Sequence, residues 1–185
     1  MDFPKEKKSH LINGVTLHES ELVHLNENTD PRGSFTEIFQ QHWDTVLSPV
    51  QWSMVRSEQH VFRGMHYHRR HQEYFCIIQG SCYLGLKDIR KQSPTYLKTA
   101  LYYLNGADLN ALIFPEGILH GWYFIEPSIH IQAVSESYLD YGLEDNFGCK
   151  WNAPDLDIKW PFHDAIVSER TKTFGNLKDL QPFES

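Results

Sequence analysis

The sequence of 185 residues is short of cysteine, of basic charge and of long apolar runs, and each shortage removes a class of function. Its three cysteines, Cys76, Cys82 and Cys149, are odd in number and form no Cys-x-x-Cys pair, so neither a disulfide framework nor a thiolate zinc site is expected. Seventeen Lys and Arg stand against 24 Asp and Glu, a net charge of −7 that offers no general field to nucleic-acid backbones. No stretch approaches the roughly 20 apolar residues of a membrane span, and the opening residues lack the apolar centre of a signal peptide. Repeats and low-complexity segments are missing too, and proline and glycine punctuate short segments without gathering into a linker. One domain over residues 1–185, cytoplasmic and away from membrane, is the expectation.

What the chain does have is 11 histidines and 14% aromatic residues in a strand-rich middle. Glu73 to Gln79 is aromatic and β-branched, Gly80-Ser81 supplies a turn, and Cys82 to Leu86 alternates, which predicts a hairpin. Ala111 to Phe114, Trp122 to Ile125 and Ile129 to Val134 are further strands, separated by Pro115-Glu116-Gly117 and Glu126-Pro127-Ser128. Helical periodicity is confined to Asp164 to Thr171 and Phe39 to Leu47. The pattern predicts a mainly β fold, an antiparallel sandwich or barrel with a few peripheral helices.

The histidines are not evenly spread. His66 and His68, two apart on an extended strand, share a face. Glu73 at the next strand and His120 after Pro115-x-Gly117 complete three nitrogens and one oxygen, a set suited to zinc, iron, manganese or nickel. His10, His18, His24, His42 and His163 have no partner spacing and are expected at the surface, while His71 and His130 lie near enough to the cluster to matter.

The series His66-x-His68, Glu73, Gly80 and then Pro115-x-Gly117-x-x-His120 resembles the two motifs of the cupin superfamily. That resemblance implies a double-sheet antiparallel β-barrel, or jelly roll, often dimeric, with His66, His68, Glu73 and His120 at its mouth as ligands if a metal is present. Residues of about 1–28 would then be N-terminal strands or an arm, and about 162–185 a C-terminal helix and tail.

A longer resemblance runs from Thr29 to Phe174. Asp30-Pro31-Arg32-Gly33-Ser34-Phe35-Thr36-Glu37, Gln51, Arg56-Ser57, Arg63-Gly64-Met65-His66-Tyr67, Asp88-Ile89-Arg90, Pro115 to Gly121 and Trp151 to Pro161 are together similar to the dTDP-4-dehydrorhamnose 3,5-epimerase family. The likeness implies an isomerase of deoxysugar and surface polysaccharide biosynthesis that inverts a nucleotide-linked 4-keto-6-deoxysugar at C3 and C5, with no cofactor required. It implies His66 as general base, and Arg32, Phe35 and Glu37 toward the nucleotide from a neighbouring subunit of a homodimer. Gln51 and Arg63 would serve the base or diphosphate of a dTDP-, CDP- or GDP-linked sugar, with Arg56 a further candidate and His120 beside the sugar. An acidic chain can still hold a diphosphate where a few guanidinium groups converge.

Three positions depart from the family pattern. The tyrosine acid falls on Gln132, with His130 on the same face. The carboxylate that orients the base falls on Thr171, and the lysine on the strand after the base is Glu73. A glutamine cannot act as an acid, so the departures favour inversion at one carbon. Two alternatives follow. The run Arg63-Gly64-x-His66-x-His68 also resembles nucleotide-sugar 3,4-ketoisomerases, with His66 and His68 as acid and base. The absent tyrosine, aspartate and lysine also fit a cupin that binds a metal or nucleotide sugar with its catalytic role altered.

Overall fold

In the computed structural model, which describes residues 8–180 and 183, the strands nest as one long hairpin rolled on itself. At its centre β8 (Ser81–Asp88) pairs with β9 (Thr99–Asn105). Outward from there, β7 (Glu73–Gln79) pairs with β10 (Asn110–Phe114), β6 (Phe62–Tyr67) with β11 (Ile118–Phe124), and β5 (Gln51–Ser57) with β12 (Ser128–Val134). Rolling divides these antiparallel pairs between two sheets. With β1 (His10–Gly14), β2 (Glu21–His24) and β13 (Phe147–Gly148), their orders are β1-β9-β8-β11-β6-β13 and β2-β10-β7-β12-β5. A separate hairpin, β3 (Glu27–Asp30) with β4 (Gly33–Thr36), stands outside both. This is the expected jelly roll.

The expected hairpin of Glu73–Gln79 with Cys82–Leu86 is not formed, because β7 and β8 belong to opposite sheets. Gly80, at φ +82°, turns the corner between them. A Cβ there would lie 2.3 Å from Ser128 Oγ and 2.8 Å from Pro127 O, so the bend admits no side chain. The strand expected at Trp122 begins earlier, at Ile118, which puts His120 inside β11.

Both helix expectations are corrected. Residues 39–47 form turns and bends in which Phe39, Trp43 and Leu47 cover the outer face of the five-stranded sheet, against Tyr74 and Cys76. Of Asp164–Thr171 only the end is helical, as α2 (Glu169–Lys172), capped by Ser168 Oγ accepting from Thr171 N. A four-residue helix α1 (Tyr138–Tyr141) precedes β13. In each case apolar residues at near-helical spacing reach a sheet face from extended or turning backbone.

Between the sheets lie Phe75, Ile77, Leu84, Leu86, Phe114 and Phe124, all buried. Leu156, Ile158 and Phe162 cover the outer face of the six-stranded sheet against Phe62 and Tyr123. Strand β7 is therefore buried on both faces, which explains why it reads as a continuous apolar run and not as an alternation. His10, His18, His24, His42 and His163 are exposed as expected. Among the described residues no helix is long and apolar enough to cross a membrane.

Candidate active site

A cavity of about 450 Å³ opens between the two sheets. One wall comes from the six-stranded sheet and carries Arg63 and His66 from β6 and His120 and Trp122 from β11. The other comes from the five-stranded sheet and carries Glu73 from β7 and His130 and Gln132 from β12. Tyr141, Asn146 and the stretch ending at Thr171 complete it.

Glycine sets the geometry of the first wall. At Gly64, φ is +127°, and a Cβ would lie 2.6 Å from Gly121 Cα and 2.7 Å from His120 O. The close approach of β6 and β11 at this point pairs His66 directly with His120. Their rings stand edge to face, 6.4 Å between centroids.

At the floor, Glu73 is only 2% exposed, with His68 Nε2 at 3.0 Å, His120 Nε2 at 3.5 Å and His71 Nε2 at 3.7 Å from its Oε1. Its other carboxylate oxygen accepts from Gln132 Nε2 at 3.1 Å. Burial works against ionisation here, but His120, His68 and His71 together hold the carboxyl well below the usual range. Burial also disfavours the charged form of His71, yet Asp145 at 3.2 Å and Glu73 win and raise it to about 9. Burial, helped by His120 and His68, pushes His66 down to about 3, and burial brings His120 to about 4 and His130 to about 3.

Buried polar atoms normally find partners. Trp122 Nε1, both ring nitrogens of His130 and Asn146 Oδ1 have none among the described residues, and all three residues line the cavity. A hollow carrying donors and acceptors in this state fits a polar ligand.

The expected residues divide into two groups. His66, His68, Glu73, His120, His130, Gln132 and Arg63 meet at the cavity. Arg63 also lines an adjoining hollow of about 410 Å³ with Arg56 and Ser57, donating from Nε to Ser57 Oγ at 2.9 Å. Arg32, Phe35, Glu37 and Gln51 do not line their own chain's cavity. The first three sit on or beside the β3–β4 hairpin, where Phe35 is 66% exposed and Arg32 pairs with Asp30. The Gln51 side chain accepts the Tyr138 backbone N–H at 2.9 Å.

The four-ligand expectation also changes. The groups whose ligand atoms converge among the described residues are His68 with Glu73 and His120, and His68 with His71 and Asp145; His66 joins neither. Met65 and Tyr67 pack on the outer face of the sheet while His66 and His68 both line the cavity, as the alternation predicts, but only His68 brings a ring nitrogen onto Glu73. His68, Glu73 and His120 nevertheless fit a divalent ion by donor chemistry, two imidazoles and a carboxylate. At the position expected to orient the base, Thr171 Oγ1 lies 3.0 Å from Ser168 Oγ and 3.5 Å from Gly64 O.

Asp145, Asn146 and Tyr141 carried no sequence signal. They lie on the segment between β12 and β13, and Tyr141 stacks on His71 with 4.3 Å between ring centroids.

Comparison with known proteins agrees with this architecture. The chain is 29% identical over 178 residues to the dTDP-4-dehydrorhamnose 3,5-epimerase of Methanothermobacter thermautotrophicus, covering 91% of this chain and 92% of that one. The crystal structure of the enzyme of that name from Bacillus anthracis, with TDP and PPi bound, superposes with a TM-score of 0.80 at 26% identity, over 91% of this chain and 99% of that one. The dTDP-6-deoxy-D-glucose-3,5-epimerase of Legionella pneumophila, solved with dTDP-4-keto-L-rhamnose, has the same fold at a TM-score of 0.83 and 23% identity, over 96% and 99% of the two chains. The sequence model of the dTDP-4-dehydrorhamnose 3,5-epimerase family matches residues 14–179, and the chain belongs to that family of sugar-nucleotide epimerases.

Proposed function

We propose that the protein inverts a dTDP-linked 4-keto-6-deoxyhexose at C3, with His66 as base, in the making of deoxysugars for surface polysaccharide. The observation that carries this is His66 lining a cavity beside Arg63 in a chain of this family, where burial favours its neutral form. A C4 ketone acidifies the C3–H bond, and an unprotonated imidazole can accept that proton. The imidazolium so formed gains the enolate and the substrate diphosphate as counter-charges, which the free cavity lacks.

The position of the family's tyrosine acid holds no acid. Gln132 is held on Glu73 and has no acidic proton. His130, kept neutral, donates a hydrogen bond to a sugar oxygen, and water on the side away from His66 returns the proton to C3. His68 has Asp145 O on one ring nitrogen and Glu73 on the other, which weighs against a moved ketone by a His66 and His68 pair.

Arg63, shared by the two hollows, takes the diphosphate between sugar and nucleotide, with Arg56 further along. Arg32, Phe35 and Glu37 project from their own chain and are read as reaching a second subunit's nucleotide, so light scattering should give twice the 21.7 kDa chain mass. Incubation of dTDP-4-keto-6-deoxyglucose in deuterium oxide tests the reaction. Deuterium should enter C3 with inversion there, as read by product NMR. A product with its ketone moved, or no label at C3 or C5, would sink the proposal.

A further inference from the structure

The cavity is built in two levels. Strand pairing sets Trp122 across from Arg63 and His120 across from His66 on the six-stranded wall. From the five-stranded wall His130 meets Trp122 edge to face, with 5.7 Å between ring centroids, and Glu73 meets His120 with Gln132 behind it. One level thus holds Arg63, Trp122 and His130, and the other holds His66, His120, Glu73 and Gln132. His120 and Trp122 on β11, and His130 and Gln132 on β12, are each two apart on one strand face and join the levels. The His120 and Trp122 rings stack with 5.5 Å between centroids, so the two levels are contiguous.

The first level carries polar groups left without partners. Trp122 is 3% exposed and His130 is fully buried, yet Trp122 Nε1 and both ring nitrogens of His130 meet no donor or acceptor among the described residues. The neighbours that hold the two rings are apolar: Phe75 packs on both, at 4.8 Å and 4.7 Å between centroids, and Phe124 stacks on His130 at 5.5 Å. An indole only donates, and a neutral imidazole offers one donor and one acceptor. Burial, and then the charge of Arg63, favour that neutral form. A hydroxyl can accept from Trp122 and either accept from or donate to His130. A cation would find no acceptor on the indole, and a methyl or a hydrogen would leave both side chains unpaired at a cost.

The place of that hydroxyl on the substrate follows from the two levels. In a nucleotide-linked 4-keto hexose C1 bears the diphosphate, and C3, beside the ketone, loses the proton. C2 is the one atom bonded to both. A sugar with its diphosphate on Arg63 and C3 at His66 therefore turns its C2 substituent toward the level of Trp122 and His130. We infer that Trp122 Nε1 and His130 bind the C2 hydroxyl of the sugar and determine specificity, selecting a 2-hydroxy sugar against its 2-deoxy counterpart. This rests on the reading of the cavity as a nucleotide-sugar site with Arg63 at the diphosphate and His66 at C3. Any reaction that removes the C2 oxygen must then act on the product of this protein and not on its substrate.

The test uses the full chain and calorimetry with dTDP, dTDP-glucose and dTDP-2-deoxyglucose, none of which carries a ketone to react. The parent should bind dTDP-glucose about 10–100-fold more tightly than dTDP-2-deoxyglucose, the loss expected when buried polar groups are left unpaired. The preference should shrink at least about threefold in Trp122→Phe, which keeps an aromatic ring and removes the N–H, and likewise in His130→Leu. Equal affinity for the two sugars in the parent would overturn the inference, as would a preference undiminished in either variant. Should the variants fail to fold, the Trp122 indole N–H signal of the parent, assigned through its contact with Phe75, should move downfield with dTDP-glucose and keep its position with dTDP-2-deoxyglucose; the same position in both complexes overturns the inference. Deuterium exchange at C3 is read separately. The 2-hydroxy preference as described, without exchange, removes the epimerase reading and leaves the subsite, and exchange without the preference does the reverse. A chain that binds none of the three ligands removes both.

Discussion

The two walls of the cavity match the family pattern expected from the sequence resemblance to different degrees. The wall from the six-stranded sheet carries Arg63, His66 and His120, all at positions where the family resemblance expects those residues. The wall from the five-stranded sheet carries Glu73, where lysine is expected, and Gln132, where tyrosine is expected, and these two are hydrogen-bonded to each other. Reversing a charge in a buried site is costly unless its surroundings change with it. Here three histidines face the Glu73 carboxylate within 3.7 Å. The difference teaches that the proposed base and diphosphate ligand both stand on one sheet, while the two residues that depart from the expected pattern are joined to each other on the opposite one.

That contrast can be broken most sharply at His66. His66→Asn should lower deuterium incorporation at C3 by about 10²–10⁴-fold, the usual contribution of a positioned base, with little change in binding of dTDP. Retained exchange would move the base to the other wall. A smaller effect is expected at Arg63. Arg63→Ala should raise KM for the nucleotide sugar by about 10–100-fold, matching the loss of a hydrogen bond to a charged group worth about 1.5–3 kcal/mol, while dTDP affinity falls with it. An unchanged KM would separate the diphosphate from this wall.

The third prediction concerns the wall from the five-stranded sheet and is read in stability. His130 is buried against Phe75, Trp122 and Phe124, with Arg63 and Glu73 the charges that act on it. Its folded pKa of about 3 lies below the ordinary 6.5, so between those values the unfolded chain binds the proton and the folded chain does not. Stability from this group is therefore full above pH 6.5 and declines as the pH falls. Between pH 7 and pH 5 the loss is about 2 kcal/mol. Urea unfolding of the parent and of His130→Gln at both pH values should differ by that amount in their pH dependence; parallel curves would mean that His130 takes up its proton over the same pH range in the folded and unfolded chains.

The fold was legible because its signals are local. β7, β10 and β12 were readable from β-branched and aromatic runs between turn residues, and the metal-type motif brought together His68, Glu73 and His120 as expected. What could not be read was which strands share a sheet. Gly80-Ser81 looks like a hairpin turn, yet it joins opposite sheets, because the choice depends on Ser128 and Pro127 approaching from 47 residues away. His66 and His68 share the cavity as their spacing predicts, but only His68 reaches Glu73, a difference that spacing along a strand does not encode. Asp145 holds His71 from a loop with no periodicity, and nothing in its neighbourhood announces the role. Phe39 to Leu47 carried apolar residues at helical intervals, and their partner, the back of a sheet, accepts them from a turning backbone equally well.

The nested pairing has a consequence for how the molecule comes into being. Since β5 waits for β12 and β6 for β11, a growing chain holds Arg63 and His66 long before the strands that enclose them exist. Contacts so distant in sequence are paid for in loop entropy before they return anything, which makes this a slow class of fold, milliseconds to seconds. The cavity is then among the last features to appear during synthesis. Until β12 has docked, the apolar strand β7 keeps an unpaired edge, and this interval is when the nascent protein is most exposed to aggregation.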